Sequence, residues 1–119
     1  FNNSTLGMVK LEMLVNGLPD FQTDVPDTNY AEIARAIGFH AERVEDASRL
    51  EDAYREAFAT PGPALIEVIT DPNALSLPPA ITSGQVVGFA TAMSKIVLNR
   101  GIAEAFSMAT SNMRNIPRL

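Results

Sequence analysis

The sequence contains no cysteine and no tryptophan, and it has no long uninterrupted run of apolar residues. Without cysteine there can be no disulfide framework, no thiol nucleophile and no thiolate metal site. A membrane-spanning helix needs an apolar run of about 18 residues or more, so none is predicted. The remaining composition is that of an ordinary globular chain, and the lack of cysteine favours the cytoplasm as its setting.

Basic residues are scarce in the first part of the chain, where thirteen acidic and five basic residues give residues 1–72 a net charge of −8. Residues 73–119 have one acidic and four basic residues, and therefore a net charge of +3. A protein that binds nucleic acid needs a basic face to displace counterions from the phosphates. The acidic first part argues against nucleic acid as a partner.

Hydrophobic spacing predicts that helices and strands alternate between residues 6 and 69. We expect helices over 6–15, from Asn29 to Gly38 and from Ser48 to Pro61, and strands over 39–44 and 64–69. The first helix is apolar on most sides and is expected to be largely buried. Short connections between such elements are typical of βαβ units, so the predicted fold class is α/β with a parallel sheet.

Two pairs of residues have the spacing of a helix-capping box, Asn29 with Glu32 and Ser48 with Glu51. After residue 72, a crossing segment that contains Pro78 and Pro79 precedes two further helices, the first over 83–98. The side chains predicted to line the apolar faces of the last three helices are Leu50, Ala53, Tyr54, Ala57 and Phe58, then Val86, Ala90, Met93 and Val97, then Ile102, Ala105, Phe106 and Ala109.

The first residues, Phe-Asn-Asn-Ser-Thr-Leu-Gly-Met-Val, have the pattern of a strand end, a polar turn and a helix start. A chain that starts on the last residue of a strand is expected to be a piece of a larger protein. The amide oxygen of Asn3 and the backbone carbonyl of Thr5 have the spacing of two neighbouring Mg²⁺ ligands. Gly7 allows a phosphate to approach the backbone closely, and the N–H groups of residues 6–8 are expected to donate to it. An Asn-Asn pair alone is more typical of a capping turn.

Residues 1–13 resemble the thiamine diphosphate enzymes of the pyruvate oxidase and acetolactate synthase superfamily, in which a Gly-Asp-Gly triplet precedes the Asn-Asn pair. The resemblance continues through Asp27-Thr28-Asn29-Tyr30 and through Pro61-Gly62-Pro63-Ala64-Leu65-Ile66-Glu67-Val68. It implies that residues 1–72 are the C-terminal portion of a parallel-sheet thiamine diphosphate-binding domain, and that residues 73–119 form a crossing segment and a helical extension. The triplet and the cofactor-activating glutamate lie outside this sequence, so the fragment alone is expected to be inactive.

The resemblance also implies a role for particular residues near the start of the chain. Asn3 and Thr5 match the metal ligands, Asn3, Leu6, Gly7 and Met8 match the cofactor-binding stretch, and Met8 and Glu12 match the helix beside the reacting centre. Glu12 is either a buried active-site carboxylate with a raised pKa or the partner of a helix neighbour, and both interpretations stay open.

The segment Lys10-Leu11-Glu12-Met13 and the region from Leu77 to Gly101 resemble the pyruvate oxidases and the pyruvate:quinone dehydrogenases. The resemblance implies a homotetrameric flavoprotein oxidoreductase that needs thiamine diphosphate and Mg²⁺ and decarboxylates pyruvate to acetate and CO₂. Electrons would pass through FAD, bound outside this fragment, to ubiquinone or menaquinone. The implied location is the cytoplasm or the inner face of the cell membrane, with the C-terminal tail on membrane lipid. An acetolactate synthase-like carboligase and a non-catalytic membrane- or partner-binding module stay open.

Other polar residues have simpler interpretations. His40 lies in a predicted strand without a metal cluster nearby and is expected to serve packing or to lie at the surface. The acids between Glu42 and Glu56 alternate with arginines, which predicts a solvated face with ion pairs rather than a metal site. The amphipathic helices of 83–119 fit either a membrane surface or a neighbouring domain, and residues 115–119 are expected to be mobile.

Overall fold

The computed structural model describes residues 1–75 and 81–113. The elements, in chain order, are α1 (Gly7–Val15), α2 (Tyr30–Ala36), β1 (His40–Val44), a 3₁₀ turn (Ala47–Arg49), α3 (Leu50–Ala59), β2 (Ala64–Val68), α4 (Ser83–Arg100) and α5 (Ile102–Asn112). The predictions for Pro78 and Pro79 and for residues 115–119 lie outside the described residues. None of the described helices is long and apolar enough to cross a membrane.

The chain forms two compact units, and both are discontinuous in sequence. The first comprises Phe1–Ser4 and Pro26–Thr70, and the second comprises Thr5–Val25 and Asp71–Leu119. The first unit contains both strands with α2 and α3, whereas the second contains α1, α4 and α5. The assignment of residues 1–72 and 73–119 to two domains stays a prediction.

The first unit is built around two parallel strands, which confirms the predicted α/β class. β1 pairs with β2 in a register that places His40 opposite Ala64 and Val44 opposite Val68. The backbone of Asn2 continues the parallel pairing, because its N–H donates to Val68 O at 2.8 Å and its carbonyl accepts from Thr70 N at 2.9 Å. Asn2 therefore forms an isolated parallel bridge where the sequence predicts the end of a strand, while Phe1 before it is 95% exposed.

Of the two predicted capping pairs, only the first has the expected N-cap. The side chain of Asn29 accepts a hydrogen bond from the backbone of Glu32 at 2.9 Å at the start of α2. The prediction that Ser48 caps α3 is wrong. The side chain of Asp46 accepts a hydrogen bond from the backbone N–H of Ser48 at 2.9 Å, and Asp46 is the N-cap of the 3₁₀ turn. α3 then begins without a side-chain cap. A short polar side chain two residues earlier has thus displaced the predicted cap.

The second unit has an apolar core that joins its three helices. The buried side chains of this core are Leu11, Leu14, Leu75, Ala92, Ile96 and Met108. α1 is buried on one side only, because Met8 and Val9 in its first turn are 65% and 49% exposed. The expectation that α1 is largely buried is therefore wrong for that turn.

The predicted apolar stripes of the last three helices agree only in part with the observed burial. α3 buries Ala53 but leaves Phe58 88% exposed, and α5 buries Met108 while Phe106 is 68% exposed. On α4, Val86, Ala90 and Val97 are exposed, while Ala92 and Ile96 are buried. α4 packs on α1 through Gly88 and Ala92, because these small residues permit a close approach of the two helices. This contact determines which side of α4 is buried.

Candidate functional site

The turn after Asn2 is held by the side chain of Asn2 itself. This carboxamide is buried, with the residue 8% exposed. Its Nδ2 donates to Glu67 Oε1 at 2.7 Å and to Thr28 O at 3.1 Å, and its Oδ1 accepts from Ser4 N at 3.1 Å. Ser4 has a φ of +49°, a left-handed conformation that a residue with a side chain seldom adopts. The Asn2 amide thus stabilises a turn that the backbone alone would not favour.

The carboxylate of Glu67 lies behind this turn with its side chain 2% exposed. Burial by itself would raise the pKa of Glu67 above its usual value of 4.5. Hydrogen bonds from the backbone of Ala31, the amide of Asn2 and the backbone of Tyr30 act in the opposite direction. The charge of Arg43 adds to them, so the pKa of Glu67 is lowered and the group is an anion at neutral pH.

Arg43 links Glu67 to the loop that precedes α2. Its Nη2 donates to both carboxylate oxygens of Asp27, at 2.9 and 3.1 Å, and its Nη1 lies 3.4 Å from Glu67 Oε1. The hydrogen bonds with Asp27 and then Glu45 raise the pKa of Arg43 further above its usual value. Because Asn2 donates to Thr28 O in the same loop, two separate contacts hold this loop beside the turn.

The residues predicted to bind metal fall in different units, Asn3 in the first and Thr5 in the second. Asn3 is half-buried and directly follows the anchored Asn2. Thr5 is buried, and its hydroxyl donates to Thr23 O at 3.1 Å. The metal-binding role of its backbone carbonyl stays a prediction.

The start of α1 fits an anionic group chemically. Leu6 is its N-cap residue, no side chain caps the helix, and the first turn contains no acidic residue. The N–H groups of a first helical turn and the helix dipole favour a phosphate there. The N–H of Leu6 itself donates to Thr23 O at 2.7 Å, so the expected phosphate donors reduce to Gly7 and Met8.

The two residues predicted to lie near the reacting centre, Met8 and Glu12, are exposed on α1. Glu12 is therefore not enclosed by the described residues, and its predicted catalytic role and that of Met8 stay predictions. His40 is half-buried in β1, which agrees with the packing role expected for it.

The acidic residues after residue 41 behave as a solvated face. Arg55 pairs with Glu51 at 2.8 Å and with Asp52 at 2.9 Å, and these three side chains are largely exposed. Within residues 1–75 and 81–113, no cluster of three or more His, Asp or Glu side chains could hold a metal ion.

The sequence alone indicated the Asn-Asn pair, but it did not indicate that Glu67 is the partner of Asn2. Asn2 and Glu67 are 65 residues apart in the chain, and no local spacing connects them. A signal did exist, because Glu67 is the only charged residue in the apolar run Ala64–Ile69. A carboxylate in a buried strand requires hydrogen-bonding partners.

Comparison with known proteins identifies a family of thiamine pyrophosphate enzymes. A family model described as the thiamine pyrophosphate enzyme, C-terminal TPP binding domain, matches residues 1–68. The chain is 35% identical over 94 residues to the putative thiamine pyrophosphate-containing protein YdaP of Bacillus subtilis, which covers 79% of this chain and 16% of that protein. It is 44% identical over 48 residues to the acetolactate synthase large subunit IlvG of Mycobacterium tuberculosis, which covers 40% of this chain and 9% of that protein.

A probable acetolactate synthase of Mycobacterium bovis matches to the same extent, again 44% over 48 residues. The chain thus spans only a small part of the length of these relatives, from 9% to 16%. The family model nevertheless covers more than half of the chain. The chain therefore belongs to the thiamine pyrophosphate enzymes, as part of their C-terminal TPP-binding domain.

Proposed function

We propose that this chain forms the Mg²⁺- and diphosphate-binding part of an enzyme that oxidatively decarboxylates pyruvate to acetate and CO₂. Electrons would pass through FAD, bound outside these residues, to ubiquinone or menaquinone. The metal-binding part of this proposal rests on the turn after Asn2, which the Asn2 side chain holds in place. The side chain of Asn2 is bonded to Glu67, Thr28 and Ser4 and holds this turn, and the resemblance to the thiamine diphosphate enzymes assigns the adjacent Asn3 to the metal.

Each residue of the opening segment then has a distinct task. Asn3, through its amide oxygen, and Thr5, through its backbone carbonyl, would hold Mg²⁺, an ion that prefers such oxygen ligands. Gly7 and Met8 at the start of α1 would donate backbone hydrogen bonds to the diphosphate. Thiamine diphosphate, when bound, supplies an electron sink for the loss of CO₂ from a 2-keto acid.

Glu12 and Met8 would lie beside the substrate, because both project from the first turns of α1. Met8 is an unbranched apolar side chain that could cover a small methyl ketone and exclude water from it. Glu12 would hold or move a proton at its carboxylate. Their exposure in this chain leaves room for the remainder of the enzyme, since the matched relatives are much longer.

A second candidate is a carboligase of the acetolactate synthase type. The observation in its favour is the 44% identity over 48 residues to IlvG, which is named as an acetolactate synthase. The full-length protein should be supplied with pyruvate under anaerobic conditions. Bleaching of a bound flavin with formation of acetate supports the oxidoreductase, whereas formation of acetolactate without bleaching supports the carboligase.

The metal assignment is tested by Asn3→Ala in the full-length protein. Removal of the amide oxygen should weaken Mg²⁺-dependent binding of thiamine diphosphate by at least about tenfold, measured by calorimetry. Asn99→Ala is the matched control, because Asn99 is an exposed amide on α4 and should leave binding unchanged. Unchanged binding in Asn3→Ala would overturn the assignment.

We also propose that α4 and α5 contact membrane lipid in a homotetramer located in the cytoplasm or at the inner face of the membrane. Supporting this are Leu98, Ile102 and Phe106, which are 84%, 73% and 68% exposed. A non-catalytic membrane- or partner-binding module would use the same side chains. Loss of pyruvate turnover in Asn3→Ala separates the enzyme from such a module.

A further inference from the structure

The two carboxylate oxygens of Glu67 are used by different parts of the first unit. Oε1 accepts from Asn2 Nδ2 at 2.7 Å, and Oε2 accepts from the backbone N–H of Ala31 at 3.0 Å. Arg43 Nη1 adds a contact of 3.4 Å to Oε1. A carboxylate that is bonded at both oxygens and buried cannot rotate without breaking one of these bonds. Glu67 therefore presents a fixed acceptor to Asn2.

This fixed acceptor determines which way the Asn2 amide points. An ionised carboxylate accepts hydrogen bonds and cannot donate them, so it must face the NH₂ end of the amide. Thr28 O, also an acceptor, lies 3.1 Å from the same nitrogen. The oxygen end is thereby directed to Ser4 N, at 3.1 Å, and holds the left-handed Ser4 residue in place.

Asn3 lies between the two residues that this network fixes. Asn2 is tied on one side to Glu67, and Ser4 on the other side is tied to Asn2, so the backbone of Asn3 is fixed from both ends. A metal ligand keeps its affinity only when the groups behind it hold its orientation. A ligand whose backbone is free to move would bind the metal ion less tightly, even though its own oxygen atom is unchanged.

We infer that Glu67 is a positioning residue for the metal site, which acts through Asn2 and Ser4 to hold Asn3 in the geometry that Mg²⁺ requires. This inference rests on the proposed role of Asn3. Glu67 itself touches neither metal nor cofactor. It also joins β2 to the start of α2 through Ala31, so a test must separate the positioning effect from a loss of stability.

The test uses the full-length protein and its Glu67→Gln variant. The Gln amide must place an NH₂ group against either Asn2 Nδ2 or Ala31 N, so one donor loses its acceptor. The concentration of Mg²⁺ that half-saturates thiamine diphosphate binding, measured by calorimetry, should rise roughly 10- to 100-fold. Glu45→Gln is the matched control, because Glu45 pairs with the same Arg43 but is exposed and should leave the Mg²⁺ requirement unchanged.

A second variant, Asn2→Ala, leaves Glu67 bonded to Ala31 and Arg43 and should disturb folding less. It should raise the Mg²⁺ requirement over the same range, and the double variant should be no worse than the single ones, because both act on one path. If both variants unfold at lower temperature but bind Mg²⁺ as the wild type does, while Asn3→Ala loses binding, the inference is overturned and the proposed function stands. If Asn3→Ala also binds normally, the proposed function itself fails.

Discussion

The side chain of Asn112, at the end of α5, accepts a hydrogen bond from the backbone N–H of Leu75 at 2.9 Å, although 37 residues separate the two in sequence. Its Nδ2 also donates to Asn73 O at 2.7 Å. Asn112 is 6% exposed and Leu75 is 2% exposed, so water does not replace these bonds. The end of α5 is thus fastened to the segment that follows β2 in the chain.

Asn112→Ala should lower the free energy of unfolding by about 1–3 kcal/mol, because it leaves the buried N–H of Leu75 without an acceptor. A urea titration of the full-length protein measures this change. Thr110→Ala on the same helix is the control, since its exposed hydroxyl bonds to carbonyls of its own helix, those of Phe106 and Ser107. Equal effects of the two substitutions would contradict the assigned role of Asn112.

Gly88→Ala should separate α4 from α1. A Cβ at Gly88 would overlap the backbone carbonyl of Val15, and neither helix backbone can yield locally. We expect a loss of about 1–3 kcal/mol in the free energy of unfolding, as for other overpacked contacts. Because Gly7 and Met8 of α1 are proposed to donate to the diphosphate, the affinity for thiamine diphosphate should fall as well.

The matched control for this substitution is Gly84→Ala in the first turn of the same helix. Its Cβ would meet only Thr82 Oγ1, at 3.9 Å. The gain in helix propensity is at most about 1 kcal/mol, so this variant should be as stable as the wild type or more stable. A neutral Gly88→Ala would show that α1 and α4 do not approach as described.

The lowered pKa of Glu67 predicts how stability depends on pH. A carboxylate whose folded-state pKa lies below its unfolded value stabilises the folded protein above the unfolded pKa, near 4.5. This contribution should be present at neutral pH and be lost as the pH falls below 4.5 through the folded-state pKa. Urea titrations between neutral and acidic pH should show a shallower decline in Glu67→Gln than in Glu45→Gln; identical declines would refute the assignment.

The lipid proposal predicts that Leu98→Gln combined with Phe106→Gln reduces co-sedimentation of the full-length protein with anionic liposomes. Both side chains are exposed, so the free energy of unfolding should change by no more than about 0.5 kcal/mol. If the double variant co-sediments as well as the wild type does, these side chains contribute nothing to lipid binding.

The order of helices and strands could be predicted from the sequence because each element has a local signal. The Asn29 cap and the parallel pairing of β1 with β2 are confirmed. The buried side of α4 could not be predicted, because the helix is apolar on more than one side. Whether Val86 or Ala92 is buried depends on where α1 packs on α4. That contact lies at Gly88 and exists only in the folded unit.

For the candidate site, the sequence could assign Asn3 to the metal but could not show what anchors Asn2 beside it. The anchor is Glu67, which reaches Asn2 only once β2 is formed. Local spacing contains no information about such a contact. The charged residue in an apolar strand indicates that a partner exists, without saying which one.

The unusual backbone of Ser4 has a practical consequence. Since its amide proton is held by Asn2 Oδ1, its rate of exchange with deuterated solvent reports how often the turn opens. That rate can rise while the amides of β1 and β2 remain protected, because the turn depends on one side chain and the strands depend on their ladder. The exchange of this single proton thus reports the stability of the turn on which the proposed metal site depends, and it can be measured before any cofactor is added.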